Sequence, residues 1–449
     1  MKRRPPQSAH RERKIKAQAA PNVSARLVTV EKPINGGAFL ARDQGKAIFV
    51  PLALPGEQVR VQIAEEKRSY ASAEVAEILT PAPDRVAPVC PHFGACGGCQ
   101  YQHAGYQAQL RFKQSILRET LERGGVRAPD AIAVLSASPW AYRNRIRLAL
   151  DAAGNPGYRG RRSHAIVPIA ECPIAAPLLV RAALAAGEIA RQLPRDRHPT
   201  ELSLFCDAEE TSLLAGLSAP EPQDFSLDEF CRALAERIPQ LAGAELAAEP
   251  GSGRTPRTLA RWGAPSLAYR AAGFTYCVDH GAFFQVNRWL LDSLVDCVLA
   301  NAEGSLAWDL FAGVGLFARR LASRFARVLA VESAPSATDA LVHNLAGTSA
   351  EAVSAATLDF LRSTTAHRRG LIVPDLIVVD PPRTGLGAET TALLAQVAAP
   401  ELVYVSCDPA TLARDLRPLL ASGYSIHAIA LADLFPQTFH IETVVRLRR

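Results

Sequence analysis

The sequence predicts an α/β protein, with a doubly wound sheet at its carboxyl end, a small β-barrel near its amino end and mixed α and β structure between them. Three observations carry this. Beyond Ala300, apolar strands alternate with amphipathic helices in the order LAWDL, GLFARRLASRF, RVLAVE, ATDALVHNLA, DLIVVD, TALLAQVAA, ELVYVSC and TLARDLRPLLA, the pattern of a sheet with helices on both faces. Residues 25–80 alternate apolar and polar side chains with period two in ARLVTVEKP, GKAIFVPLAL, EQVRVQIAEE and YASAEVAEILT, broken by turns at NGG and LPGE. A chain of 449 residues with 48% hydrophobic content is long and apolar enough to bury two or three cores.

The elements follow in order. Residues 1–20 hold seven Lys and Arg against Glu12 alone, which accounts for the whole net charge of +6. Such an arm suits a polyanion, nucleic acid foremost, and a disordered solvated tail explains it equally well. It has no apolar segment after the basic residues, and no run in the chain reaches the length of a membrane span. A soluble cytoplasmic protein is expected. After the barrel come the linker PAPDRVAP, the cluster CPHFGACGGC, and AGYQAQLRFKQSILRETLERGG, an amphipathic helix over about 104–125 that ends at Gly124-Gly125. YRNRIRLALD, AAGNPG and YRGRRSHAIVPIAEC read as a hairpin. Arg143, Arg145, Arg147, Arg159, Arg161 and Arg162 stand there among Trp140, Tyr142 and Tyr158. Arginines interleaved with aromatics can contact phosphates and stack on bases, and an exposed Arg-studded sheet face accounts for them as well. Residues 180–270 carry no functional signal.

Nine cysteines, an odd number in a long chain without an export signal, argue for metal binding or thiol chemistry over disulfides. Cys90, Cys96 and Cys99 fall within ten residues of one another. The first strand of the late sheet ends at Asp309 and runs into FAGVGLFA, where Gly313 and Gly315 let the backbone approach a ligand. Gly313, Gly315 and Ala318 also fit a dinucleotide pattern, and Glu332 at the next strand end can bind a ribose. The loop alone therefore indicates an adenosine cofactor. Asp380-Pro381-Pro382-Arg383 ends another strand, with Arg383 where amino-group methyltransferases place a stacking aromatic. Cys407 ends a further strand, and Glu442 opens the last, two residues after His440. A carbon such as C5 of uracil needs a thiolate that can add and later leave, plus a base to remove the C5 proton. Cys407 and Glu442 fit those two roles. A solitary Cys at a strand end is most often a packed hydrophobe and a solitary Glu a surface group; their shared place at the cofactor rim weighs against both.

In these residues the chain resembles the RNA uridine C5-methyltransferases, specifically their TRAM-domain, iron–sulfur branch. CPHFGACGGCQYQH, ECPI, FFQVN, DLFAGVGLF, DPPRTG, SCDPATLARD and FPQTFHIE occur in the family's order, and the resemblance runs from about residue 22 to the end. It implies a TRAM domain over 22–82, an OB-like RNA-binding barrel. It further implies a central α+β domain over 83–270 with an iron–sulfur site, and a Rossmann-like class I methyltransferase domain over 271–449, behind a basic disordered tail, 1–21. A 4Fe–4S cluster would sit on Cys90, Cys96, Cys99 and Cys172. S-adenosylmethionine contacts would fall on Gln285, Phe311, Glu332, Asp359 and Asp380, beside Gly313 and Gly315. Cys407 would be the nucleophile and Glu442 the base. The helix after the cysteines is expected to pack on the catalytic domain. Leu316 departs from the family, standing where a polar cofactor contact is often found. Cys172 lies at the end of the hairpin, followed by Pro173 as Cys90 is by Pro91. Four thiolates suit zinc equally well; Cys-Pro steps occur at iron–sulfur sites, and the family favours the cluster.

The expected function is S-adenosylmethionine-dependent C5 methylation of a uridine in structured RNA, 23S rRNA before tRNA, by a monomer. The rivals are an amino-methyltransferase using the Asp-Pro-Pro loop, a non-catalytic iron–sulfur RNA-binding protein and, more distantly, an NAD-linked oxidoreductase.

Overall fold

The computed structural model describes residues 25–219, 225–248, 257–366 and 372–449. The basic arm lies outside them, as do the first residues of the expected barrel. Among the described residues no helix is long and apolar enough to cross a membrane.

Strands Ala25–Pro33, Ala38–Asp43, Lys46–Pro51, Gln58–Glu66 and Tyr70–Thr80 close a barrel. Its interior is filled by the apolar half of the alternation, including Val28, Val30, Ile48, Val50, Val59 and Val61, and closure leaves no free edge. The fully buried Glu57 ties the linker to one end: it accepts from Leu54 N at 2.8 Å and Ala82 N at 3.1 Å, and pairs with Arg85.

The expected hairpin is in fact one edge of a seven-stranded sheet. The order is Thr258–Gly263, Leu241–Ala248, Leu213–Ala219, Glu201–Cys206, Arg145–Leu150, Pro156–Arg159, Ile166–Pro168. Helices Pro177–Ala190 and Leu227–Arg237 share its core. Much of the Arg/Tyr pattern is spent inside the molecule. Arg145 donates to Ala282 O and lies 4.3 Å over the Phe205 ring. Arg147 pairs with Glu201 and Arg161 with Glu74 of the barrel, and Tyr142 is wholly buried. Arg147, Arg159, Arg162 and His164 nonetheless stay exposed.

The late sheet has eight strands in the order Ala350–Ser354, Phe325–Glu332, Gly304–Leu310, Leu376–Val379, Glu401–Ser406, Glu442–Arg448, Ser425–Ala432, Ala133–Leu135. The first five are parallel, and Glu442–Arg448 runs antiparallel to both its neighbours. The last strand comes from far upstream; three residues are too few for a periodic signal. Strand order reverses at Gly304–Leu310, which opens a ligand crevice beyond the carboxyl ends of the strands. The hairpin Ser266–Ala271 and Phe274–Asp279 packs into this core and lies across the expected boundary at residue 271.

The helix Tyr106–Arg123 joins two cores. Ala108 and Phe112 belong to the barrel cluster, whereas Ile116, Leu117 and Leu121 belong to the late sheet's, where the helix packs on Pro409–Ala421. Gly124 permits the close approach, since a Cβ there would lie 2.5 Å from that of Ala413. Lys113 and Asp433 form a wholly buried ion pair at 2.6 Å. Lys113→Met strands the Asp433 charge, so urea unfolding should show a loss of about 3–5 kcal/mol.

Candidate active site

Beyond Leu310 the chain turns sharply. Phe311, with φ of 64°, and Gly315, with φ of 92°, adopt left-handed backbone, a conformation a phenylalanine keeps only where its surroundings over-determine it. A Cβ on Gly315 would also come within 2.9 Å of Leu341 Cδ1. The loop is fixed by Glu332, whose Oε2 accepts from Gly313 N at 2.9 Å while Oε1 accepts from Ser333 N and Ala334 N, both at 2.7 Å. One cavity is lined by Gln285, Phe311, Gly313 and Asp380, together with Phe284 and Phe317. Gln285 Nε2 donates to Asp380 Oδ2 at 3.3 Å. The last two aromatics are additions to the residues picked from sequence; FFQVN held the clue to Phe284. Asp359 is placed differently: it is exposed on the helix Thr357–Ala366 and pairs with Arg362 at 3.3 Å.

Asp309 is fully buried; no side chain among the described residues donates to its carboxylate, and the Ala318 backbone N–H is the one neighbour that favours its charged form. Burial first, then the charges of Asp380 and Glu332, push it up to about 8. Burial likewise pushes Asp380 up to about 7. Carboxyls raised in this way bind protons more tightly when folded, so their contribution to stability is full below about pH 4 and is lost as pH rises through 7–8. Asp309→Asn should therefore gain stability relative to the wild type between pH 5 and pH 8, by about 2–4 kcal/mol. Thermal unfolding of both proteins at the two pH values measures this; parallel curves refute it.

Cys407 and Glu442 meet through sheet register. Ser406, the last residue of its strand, pairs with Thr443; Cys407 follows Ser406 and Glu442 precedes Thr443, which brings the two close enough for the Glu442 charge to act on the thiol. Cys407 occupies a strand–helix junction secured by Asp408, whose side chain accepts from Ala410 N and Thr411 N, both at 2.9 Å. Burial, then Glu442 and Asp380, push its thiol up to about 11, against the pull of Arg383. Glu442 is buried and its carboxyl is raised by burial and by Asp380, again opposed by Arg383. Arg383 donates to His440 Nδ1 at 3.2 Å. His440 is held down at about 4, by burial first and then by Arg383, and is neutral near pH 7. Thus Arg383, noted in the sequence only as a departure from the aromatic pattern, is the cation whose charge opposes the upward shifts of both Cys407 and Glu442.

Cys90, Cys96, Cys99 and Cys172 all border one cavity of about 40 Å³, with Arg143 and Tyr158. All four are free thiols. Burial raises Cys90 and Cys96 and takes Cys99 up to about 12. The loop is pinned to the sheet edge by Gly97 N to Arg159 O at 3.0 Å and Arg161 N to Ala95 O at 2.9 Å. Among the described residues no three His, Cys, Asp or Glu side chains converge to hold a single metal ion. The thiols border one shared cavity, and no carboxylate among the described residues forms an ion pair with the Arg143 guanidinium beside them.

Comparison with known proteins gives a consistent picture. The family profile described as tRNA (Uracil-5-)-methyltransferase matches residues 266–449, and that of the TRAM domain matches residues 22–76. A protein of Halomonas elongata named 23S rRNA (uracil(1939)-C(5))-methyltransferase RlmD is 34% identical, over 99% of this chain and 96% of its own. A protein of the same name from Klebsiella pneumoniae subsp. pneumoniae is 33% identical, over 94% and 95%. The crystal structure of the Pyrococcus abyssi tRNA (uracil-54, C5)-methyltransferase in complex with S-adenosyl-L-homocysteine shares the fold. Its TM-score is 0.74 at 24% identity, over 94% of this chain and all of that one.

Proposed function

The chain belongs to the RNA uracil-C5-methyltransferase family, and from that membership we propose that it methylates C5 of one uridine in 23S rRNA, with Cys407 as nucleophile and Glu442 as base. The observation that carries the residue roles is the pairing of Ser406 with Thr443, which brings Cys407, one residue past its strand, next to Glu442, with the Asp380 charge acting on both. S-adenosylmethionine, when bound, supplies a methyl group whose bond to sulfur breaks with the electron pair going to sulfur. Gln285, Phe311, Gly313 and Asp380 would hold it, with Glu332 fixing the loop. The cavity's lining supports this fit: the polar groups of Gln285 and Asp380 stand among the rings of Phe284, Phe311 and Phe317, which suit an adenine and a sulfonium. Asp359 is assigned no contact in this reading.

The Cys407 thiolate adds to C6 of the flipped-out base, and the C5–C6 π pair moves to O4 as an enolate. The enolate directs C5 at the methyl carbon. Glu442 then takes the C5 proton, the C5–C6 double bond re-forms, and the C6–S pair returns to Cys407. Arg383 offsets the negative charge that burial and Asp380 oppose. The barrel and the exposed Arg159, Arg162 and His164 would grip flanking RNA.

Four thiols suit a 4Fe–4S cluster and zinc alike; the cluster is the reading taken, because the four border one shared cavity, no three of them converge on a single-ion site, and Arg143, without a carboxylate partner among the described residues, offers its cation to an anionic group. When bound, such a cluster would supply structural cross-links between the linker and the sheet edge. Iron and zinc analysis of anaerobically purified protein tests this, zinc alone being the contrary result. For the function, RNA from cells with and without the gene should differ in 5-methyluridine at one 23S rRNA position. A difference confined to tRNA would transfer the proposal to tRNA.

A further inference from the structure

The segment from Asp433 to Ile441 leads from the strand Ser425–Ala432 into Glu442, and many parts of the molecule hold it. Lys113 and Tyr106 bond to the Asp433 carboxylate at 2.6 and 2.9 Å. Asn287 Nδ2 donates to the carbonyls of Asp433 and Leu434 at 3.4 and 3.2 Å, and Tyr142 OH to Pro436 O at 3.0 Å. Phe439 packs on the barrel core.

Gln437 is at the centre of this strap. It is 2% exposed and left-handed, with φ of 68°. Its backbone N–H donates to Gln109 Oε1 at 3.0 Å, and its own Oε1 accepts from Gln109 Nε2 at 2.9 Å. Its carbonyl accepts from the N–H groups of Gln100 and Tyr101 at 3.0 and 2.9 Å, the two residues that directly follow Cys99. A buried non-glycine residue with positive φ persists only where its neighbours over-determine it. Here the neighbours belong to the helix Tyr106–Arg123 and to the cysteine loop.

We propose that Gln437 is a positioning residue for Glu442: its reciprocal amide clasp with Gln109 holds the strap so that the Glu442 carboxylate stays opposite Cys407. The proposal rests on the reading of Glu442 as the base. It makes the cysteine loop an influence on the chemistry through one residue, by position. Cys407 does not depend on the clasp, because its own strand and the Asp408-capped helix Pro409–Ala421 anchor it. Losing the clasp should therefore slow proton removal and spare thiolate addition.

The test uses the purified full chain with S-adenosylmethionine and a 23S rRNA fragment containing the target, made with uridine or with 5-fluorouridine. Fluorine at C5 blocks elimination, so the second RNA reports addition and methyl transfer alone. Gln437→Gly removes the half of the clasp that its side chain makes, the bond from Gln109 Nε2, at a φ that glycine adopts freely, and keeps the backbone bond to Gln109 Oε1. Gln109→Ala removes both bonds of the clasp and decides the matter should the first variant not fold. Trapping of 5-fluorouridine RNA should stay within about threefold of wild type, while turnover of uridine RNA falls at least roughly tenfold with KM little changed. Covalent protein–RNA adduct should then accumulate on ordinary uridine RNA, as it should with Glu442→Gln. A merely structural role would lower trapping and turnover together, and that result, or unchanged turnover in both variants, overturns the proposal. Adduct with Glu442→Gln but not with either clasp variant overturns the clasp alone; no adduct with Glu442→Gln overturns the base assignment and the clasp with it.

Discussion

Cys407→Ala should form no covalent adduct with 5-fluorouridine RNA and should lose methyl transfer by roughly 10⁴-fold or more, the scale seen when a nucleophile is deleted. The reason lies in the carbon being methylated. C5 of uracil has no lone pair, and without sulfur at C6 there is no enolate to carry electron density to it. S-adenosylmethionine binding should be little altered, because Cys407 is not among the residues bordering the cofactor cavity. The thiol also carries a pH signature. Burial, Glu442 and Asp380 hold it up at about 11, so the thiolate fraction climbs with pH throughout the range below that value. Adduct formation in the wild type should climb with it from pH 7 to pH 9, and Arg383→Leu should slow it further by removing the opposing cation. An undiminished adduct in Cys407→Ala would sink the mechanism.

The second large effect is expected from Glu442→Gln. The side chain keeps its shape but cannot accept the C5 proton, so turnover should fall by roughly 10²–10⁴-fold, the range for a lost general base. Addition and methylation should continue, leaving enzyme and ordinary uridine RNA covalently joined in a gel-stable complex. Burial and the neighbouring Asp380 raise the Glu442 carboxyl, which strengthens the carboxylate as a base but requires it to have lost its proton first. Wild-type turnover should therefore rise with pH as Glu442 ionises, and that rise should vanish in the variant. Equal losses of trapping and turnover in Glu442→Gln would assign the residue to the fold instead.

The residues proposed to carry the chemistry were legible because the late sheet writes its strands as short apolar runs. Each run ends on a polar residue: Asp309, Glu332, Asp380 and Cys407. Ligands of a doubly wound sheet gather at those ends whatever the order of the strands. The barrel was legible for a related reason, since an interior filled from alternate positions leaves a period of two. Other features depended on partners distant in sequence. The Arg-rich stretch reads as a basic surface, yet Arg145 is tied to Ala282 and Arg161 to Glu74. Asp359, a cofactor contact in what the resemblance implies, stands exposed on a helix beside Arg362, which no sequence motif indicates. Gln437 has no motif of its own, because what marks it is a positive φ and a partner 328 residues away.

By itself the sequence determined the cofactor loop, the lone thiol and the lone carboxylate, because these are properties of residue type and of position within a strand. Only the tertiary structure decided that the thiol and the carboxylate face one another. The last strand could have paired in another register, and a slip of one residue would have turned Glu442 to the opposite face of the sheet. The observed pairing of Ser406 with Thr443 is fixed by a strap held from the barrel, the cysteine loop and the helix Tyr106–Arg123, and those long-range contacts leave no local trace in the chain.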